Sequence, residues 1–475
     1  MLRKPLFWIA FVALAAASLW FGARNFPRAF PIVSLEITMD RATALARARE
    51  IDQRYGLGPA NYRQAASFRG DQNVQNFVEL EAGGTAAFEE MFASGRYHPF
   101  QWHVRHFREG EAREARLYFT PRGEPYGFSV KLPEKEPGPA LDADAALSIA
   151  EGGAADWNVD LSKYGLVEKA RDVRPGGRVD HTFVYERPDL RVGEGRYRLR
   201  LVVGGDRLTS LQHFVKVPEA FERRFEEMRS ANEAISIVSV VGLVLVYLIG
   251  GCGVGLFFLG RRRWIIWRTP VMWGVFVAFL QLISGLNQWP LAWLEYDTAL
   301  SSTVFTAQQV GLQLLAFAGY AFLFSISFMA AESLTRLAFP RQVQFWKLWS
   351  PRVAASKTML GWTLAGYLLV PVFFGYEVLL YFLATRGLGW WMPSDMLVQP
   401  DVLAAYQPWF SAIAISTQAG FWEEAMFRAV PLACAALLGK RFGGRGWWIA
   451  ATMVLQAVFF GAGHAGYANQ PSYAR

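Results

Sequence analysis

The sequence predicts a membrane α-helical bundle of about seven spans, an N-terminal anchor included, with an extracytoplasmic α+β domain. Three observations lead there. Residues 233–475 are long apolar runs separated by short basic loops, whereas residues 24–232 are charged and mixed like a water-soluble domain. The loops of the second half alternate between basic and non-basic. One apolar run is broken by ionisable side chains, in Phe421-Trp422-Glu423-Glu424-Ala425-Met426-Phe427-Arg428. At 475 residues the chain has room for two or three domains. The aromatic content of 15% and the mean hydropathy of +0.16 come mostly from the second half. The net charge of +8 does not imply nucleic acid, because those basic residues lie between apolar runs.

The first run, Leu6 to Phe21, follows the basic start Arg3-Lys4. It reads as a cleaved signal or a retained anchor. Apolar bulk continues through Leu19-Trp20-Phe21 past the small residues Ala15-Ala16-Ala17-Ser18, which favours the anchor. Further spans read as 235–259, 269–290, 308–331, 358–383, 409–438 and 447–465, each near the roughly 20 residues a spanning helix needs.

The basic loops hold Arg261, Arg262, Arg263 and Arg268, then Arg336, Arg341, Lys347, Arg352 and Lys357, then Lys440, Arg441 and Arg445. Residues 291–307 hold no Lys or Arg, and 384–401 hold only Arg386. The alternation predicts a cytoplasmic N-terminus and an outside location for 24–232. Cys252 and Cys434 both sit in apolar runs and read as small hydrophobes, not as a disulfide framework.

The outer half reads as a degenerate duplication, with modules at 24–134 and 135–232 after an anchor at 1–23. Val130-Lys131-Leu132-Pro133-Glu134 recurs as Val215-Lys216-Val217-Pro218-Glu219. Before each copy lies an alternating segment with a Gly turn, at Leu117–Gly123 and Leu199–Gly205, predicting two β-hairpins. Asp40 and Asp142 each precede an alanine-rich run and predict N-capped helices. The modules resemble the small helix-plus-sheet PepSY type found outside bacterial membranes. His98, His103 and His106 invite a metal reading. An odd spacing puts His103 and His106 on opposite faces of a strand, however, and no acidic or Cys partner has matching spacing.

The candidate site lies in the last third, after the helices at 233–402. Burying an ionisable group at bilayer depth costs about 2.5 kcal/mol or more, so Glu423, Glu424 and Arg428 mark a functional hypothesis. Glu424 and Arg428 are four apart and share a helix face. Glu423 is expected about 100° round from Glu424, free to act as general base. The next run carries Phe460-Gly461-Ala462-Gly463-His464, with the one histidine of the membrane half. Glu423 and His464 stand sixteen and seventeen residues from the ends of their helices, which places both about 24–26 Å deep. They can meet laterally.

The order EExxxR then FxxxH, as Glu423-Glu424-x-x-x-Arg428 and Phe460-x-x-x-His464, resembles the CAAX prenyl protease type II and bacteriocin-processing family, CPBP or Abi. The resemblance covers about 405–475, so 403–475 reads as the start of a CPBP-like catalytic core. It implies a polytopic intramembrane endopeptidase of the bacterial inner-membrane kind, acting on a peptide or protein substrate in or near the bilayer. Glu423 and His464 would activate water, Glu424 and Arg428 would orient the site, and Phe460 would pack on the histidine. The family's third motif, a histidine followed four residues later by Asn or Asp, has no counterpart before Arg475. That predicts a truncated core with little or no activity.

Family members have been described both as metalloproteases and as glutamate-dependent enzymes. Glu423, Glu424 and His464 could hold zinc only if Arg428 released Glu424, so a metal-free route fits the visible residues better, with a divalent ion such as zinc the alternative. Two other functions compete. One is a non-catalytic membrane peptide-binding sensor or immunity-type protein on the same bundle. The other is a proton-coupled transporter, disfavoured because the spans show no inverted repeat.

Overall fold

The computed structural model describes residues 5–340, 350–394 and 399–471. Arg3, Lys4, Arg341 and Lys347 of the expected basic segments lie outside the described residues, as does the tail after Pro471. The chain opens with the apolar helix α1 (Pro5–Ala29), then enters a head. There α2 (Arg41–Tyr55) leads to β1 (Arg63–Gly70), α3 (Gln72–Glu81), α4 (Gly84–Ala93), β2 (Phe100–Phe107), β3 (Glu114–Phe119) and β4 (Pro125–Lys131). A second half follows with α5 (Ala143–Asp156), β5 (Gly165–Val173), β6 (Val179–Val192), β7 (Gly195–Gly204) and β8 (Arg207–Lys216).

The two expected caps are in place. Asp40 accepts from the Thr43 amide at 2.8 Å, and Asp142 from the Ala145 amide at 2.8 Å, each worth about 1 kcal/mol to its helix. Alanines then bring both helices close to the sheet: Ala44 and Ala48 on α2, and Ala146, Ala150 and Ala154 on α5, are all fully buried at i, i+4 spacing. The two hairpins turn through Gly123 and Gly205, both with positive φ.

The halves do not stay apart. All eight strands form one antiparallel sheet in the order β1-β2-β3-β4-β8-β7-β6-β5, so the ends of the repeat, β4 and β8, meet at its centre. The join is short, with Phe128 opposite Leu211 and Ser129 opposite Ser210. Gly127 allows it, because a Cβ there would overlap the Leu211 carbonyl oxygen. The duplicated segments therefore zip the head together, and only the first half carries the inserted α3 and α4.

Among the described residues six helices are long and apolar enough to cross a membrane. They are α1, α6 (Glu219–Arg261), α7 (Arg268–Asn287), α8 (Ser302–Ala338), α9 (Lys357–Gly387) and, last in the chain, Arg445–Gly463, here α11. The run 408–442, α10, matches the expected span 409–438 in position, but it is not among the six and carries Glu423, Glu424 and Arg428. The expected seven thus become six plus a charged helical run. α6 starts at the head and continues as one helix into the bundle, so head and bundle share a beam.

The head sits on the loops that follow α7 and α9. Arg105 is buried, paired with Glu114 at 2.7 Å, and donates to the carbonyls of Leu294 (2.9 Å) and Tyr296 (2.8 Å). Ala65 and Phe107 pack beside it on Leu294, Tyr296 and Phe305. Losing one partner of such a buried pair costs about 3–5 kcal/mol, which makes this a fixed joint. A second joint centres on Glu79, whose carboxylate accepts from Ser394, Gln75 and the Trp391 indole.

Two predictions follow from these joins. Gly127→Val should destabilise the head by about 1–3 kcal/mol, read as a lowered melting transition of the full chain in detergent. At the second joint, burial pushes the Glu79 carboxyl up from its ordinary 4.5 to about 7, against donors that pull it down. Between those values the docked state holds more protons than the undocked one, so docking weakens as pH rises through this window and levels off above it. Hydrogen exchange at the Ser394 amide, corrected for intrinsic rate, should be faster above pH 7 than below it. Glu79→Gln should remove that dependence.

Candidate active site

The Glu-Glu-x-x-x-Arg segment is not α-helical. Ala419–Ala429 winds as a π-helix between the α-helical stretches Pro408–Gln418 and Val430–Phe442 of α10. Its i→i+5 bonding puts more residues in each turn, so Glu423 and Glu424 stand less than the expected 100° apart. π-helical turns inside longer helices recur at functional sites. The segment is clamped on three sides. Trp422 donates its indole N–H to Ser327 of α8 at 3.3 Å. Phe421 lies over Trp273 of α7, with ring centroids 5.9 Å apart. Met426 is fully buried, with its sulfur 3.7 Å from the Cys252 thiol of α6.

With Ala425 and Met426 turned into the bundle, the charged face turns out. Glu424 and Arg428 form the expected ion pair, and their side chains are 54% and 63% exposed. Glu423 is half-buried beside them, within electrostatic reach of both His464 and Arg428. The four sequence-predicted residues lie in one neighbourhood, where Phe427 of this run touches Phe460 of the next.

His464 caps the C-terminus of α11 (Arg445–Gly463) instead of lying inside the span, so the helix ends at the glycines where a break was allowed for. Its Nδ1 lies 2.7 Å from the Phe460 carbonyl oxygen. A carbonyl can only accept, so Nδ1 is the donor to it, which makes Nε2 the lone-pair position of the neutral ring. Phe460 packs on the imidazole as expected, with centroids 4.6 Å apart, and meets Phe427 edge-on at 5.0 Å. That aromatic contact joins α10 to α11 at the level of the site.

What holds the histidine segment was not read from the sequence. A ladder of donors on α6 takes its carbonyls: Ser239 to Phe459 at 2.7 Å, Ser236 to Gly463 at 3.3 Å, Asn232 to Asn469 at 3.1 Å and Arg229 to Gly466 at 2.6 Å. The spacing 229, 232, 236, 239 is one helix face and was visible as a polar stripe entering an apolar run. Asn232 is fully buried.

The metal reading finds little support in this arrangement. Glu424 is engaged by Arg428, and among the described residues no three His, Cys, Asp or Glu side chains are grouped as an ion requires. In the head, His106 is buried between Gln64 and Tyr62 while His103 meets Tyr118 of the neighbouring strand edge-on, so the two face apart as their spacing requires. Comparison with family models, with curated proteins and with solved structures returns no match for this chain.

Asn232→Leu should free the segment after α11 while leaving the fold of α6 intact. The expected outcome is faster hydrogen exchange over residues 464–470, with exchange in the head unchanged.

Proposed function

We propose that this chain is an intramembrane endopeptidase in which Glu423 and His464 activate water against a peptide carbonyl. The observation that carries the reading is that the Phe427–Phe460 contact sets the Glu423 segment beside the helix end that bears His464, with a second carboxylate, Glu424, already paired with Arg428. Glu423 would take a proton from water as the oxygen attacks the carbonyl carbon. The C–N bond then breaks, and the same proton passes to the leaving amine. The free Nε2 of His464 is suited to hold that water, and the Arg428–Glu424 pair to fix the carboxylates. A divalent ion such as zinc would need Glu424 released from Arg428, so the metal-free route fits the residues better.

The substrate in this reading is a membrane-embedded peptide or protein. The charged face is open at the side of the bundle, and α11 has no fully buried residue, which leaves lateral access for such a segment. The same openness favours the second reading, a non-catalytic sensor or immunity-type protein that binds a peptide there. By the positive-inside argument the head lies outside the cytoplasm.

One experiment separates them: peptide cleavage in reconstituted vesicles by the protein of the gene's full reading frame, beside its Glu423→Gln variant. A peptidase should lose at least about a hundredfold in turnover while still binding peptide. Binding without cleavage by either protein would favour the sensor, and cleavage unaffected by Glu423→Gln would remove Glu423 as the base.

A further inference from the structure

Arg386 is the one basic residue in the otherwise non-basic segment 384–401, and nothing in the peptidase reading uses it. It lies at the end of α9, and Arg28 lies at the end of α1. These two spans pack side by side. Phe26 meets Phe374 at 5.1 Å between centroids, and Phe30 meets Tyr381 at 5.0 Å. The two guanidinium groups are thereby brought to one place, where both line a cavity of about 710 Å³ between head and bundle.

The cavity has the wrong charge balance for an empty space. Among the described residues Glu79 is the one acidic residue in its wall, and that carboxylate is already taken up by Ser394, Gln75 and Trp391. Among the described residues neither Arg28 nor Arg386 forms an ion pair, while Arg386 covers the Phe382 ring at 4.3 Å. Two cations facing one cavity repel unless an anion sits between them. The first turn of α4, Gly84 and Thr85, closes the cavity from the head side, and that helix has no side-chain cap. Its free amides add to the attraction for an anion but would not define a site alone.

The surroundings say which anion. Trp390 and Trp391 line the wall, the residue type that gathers where a bilayer meets water. Away from the cavity, Leu19 and Trp20 of α1 and Phe373, Leu379 and Leu383 of α9 are exposed apolar side chains along the spans. A small soluble anion would use the arginines and leave this apolar track unused. A phospholipid would use both.

We propose that the cavity holds the anionic phosphate headgroup of a membrane phospholipid, clamped by Arg28 and Arg386 beneath α4, with its acyl chains along α1 and α9. The bound lipid is a third joint between head and bundle, and it does not depend on what the Glu423 site does.

The test is lipid binding by the delipidated full chain in detergent, followed by native mass spectrometry. The probes are phosphatidylglycerol, phosphatidylcholine and inorganic phosphate. Phosphatidylglycerol should bind in preference to phosphatidylcholine, and inorganic phosphate should not displace it. Replacing both arginines, Arg28→Gln with Arg386→Gln, should weaken it roughly thirtyfold, taking each basic residue near an anionic surface at its usual worth. The charge-preserving pair Arg28→Lys with Arg386→Lys should retain most of the binding, and Arg24→Gln, on the same helix, should retain all of it. Equal phosphatidylglycerol binding by the Gln pair would overturn the proposal. Full displacement by inorganic phosphate would also overturn it, in favour of a soluble-anion site.

Discussion

The cost of placing two carboxylates and a guanidinium in an apolar helix governs much of the arrangement in the second half of the chain. Isolated at bilayer depth, each such group is expensive, and one that stays must be paired or put to use. Arg428 answers for Glu424 through their ion pair. Among the described residues Glu423 forms no ion pair, and its segment lies beside the helix end that carries His464, where Phe427 meets Phe460. The π-helical winding of Ala419–Ala429 serves that end, because it changes which side chains share a face. Ala425 and Met426 turn inward against α6 and α8, and the charged residues are left together on the other side.

The head is bound into the same problem through α6. That helix begins at the end of the sheet, carries the donors that hold residues 459–469, and runs on to the Cys252–Met426 contact behind the charged segment. A displacement of the head along α6 would therefore be felt at His464. The two docking joints restrain it differently. Arg105 is sealed by a carboxylate and backbone carbonyls, so it behaves as a fixed pin. Glu79 is held near neutrality, where a change of charge alters the docking energy. In the peptidase reading, that combination gives the head a pH-dependent hold on the site.

Much of the local structure was legible in the sequence because its causes are local. Asp40 and Asp142 cap the helices they were expected to cap, since an N-cap needs only its own next three amides. The glycine turns close the two hairpins for an equally local reason. Apolar length marked the spans. The four candidate residues stood out because ionisable groups are conspicuous in apolar runs, and their expected neighbourhood came from counting along two successive helices. What was misjudged depends on winding: equal α-helical steps were assumed through a segment that is π-helical.

By itself, then, the sequence determined a half of long apolar helices, a mixed α+β half with capped helices and glycine-turned hairpins, and a Glu-Glu-Arg group and a histidine that stand out in successive apolar runs, because periodicity, capping and transfer cost act over a few residues. Only the tertiary structure decided that the duplicate halves fuse through Gly127 into a single sheet, since that close approach involves Leu211, far along the chain. It alone decided that α6 holds the histidine segment across more than two hundred residues, and that Arg28 and Arg386 face one cavity. Such pairings are set by how whole elements pack, and no short stretch of sequence contains both partners.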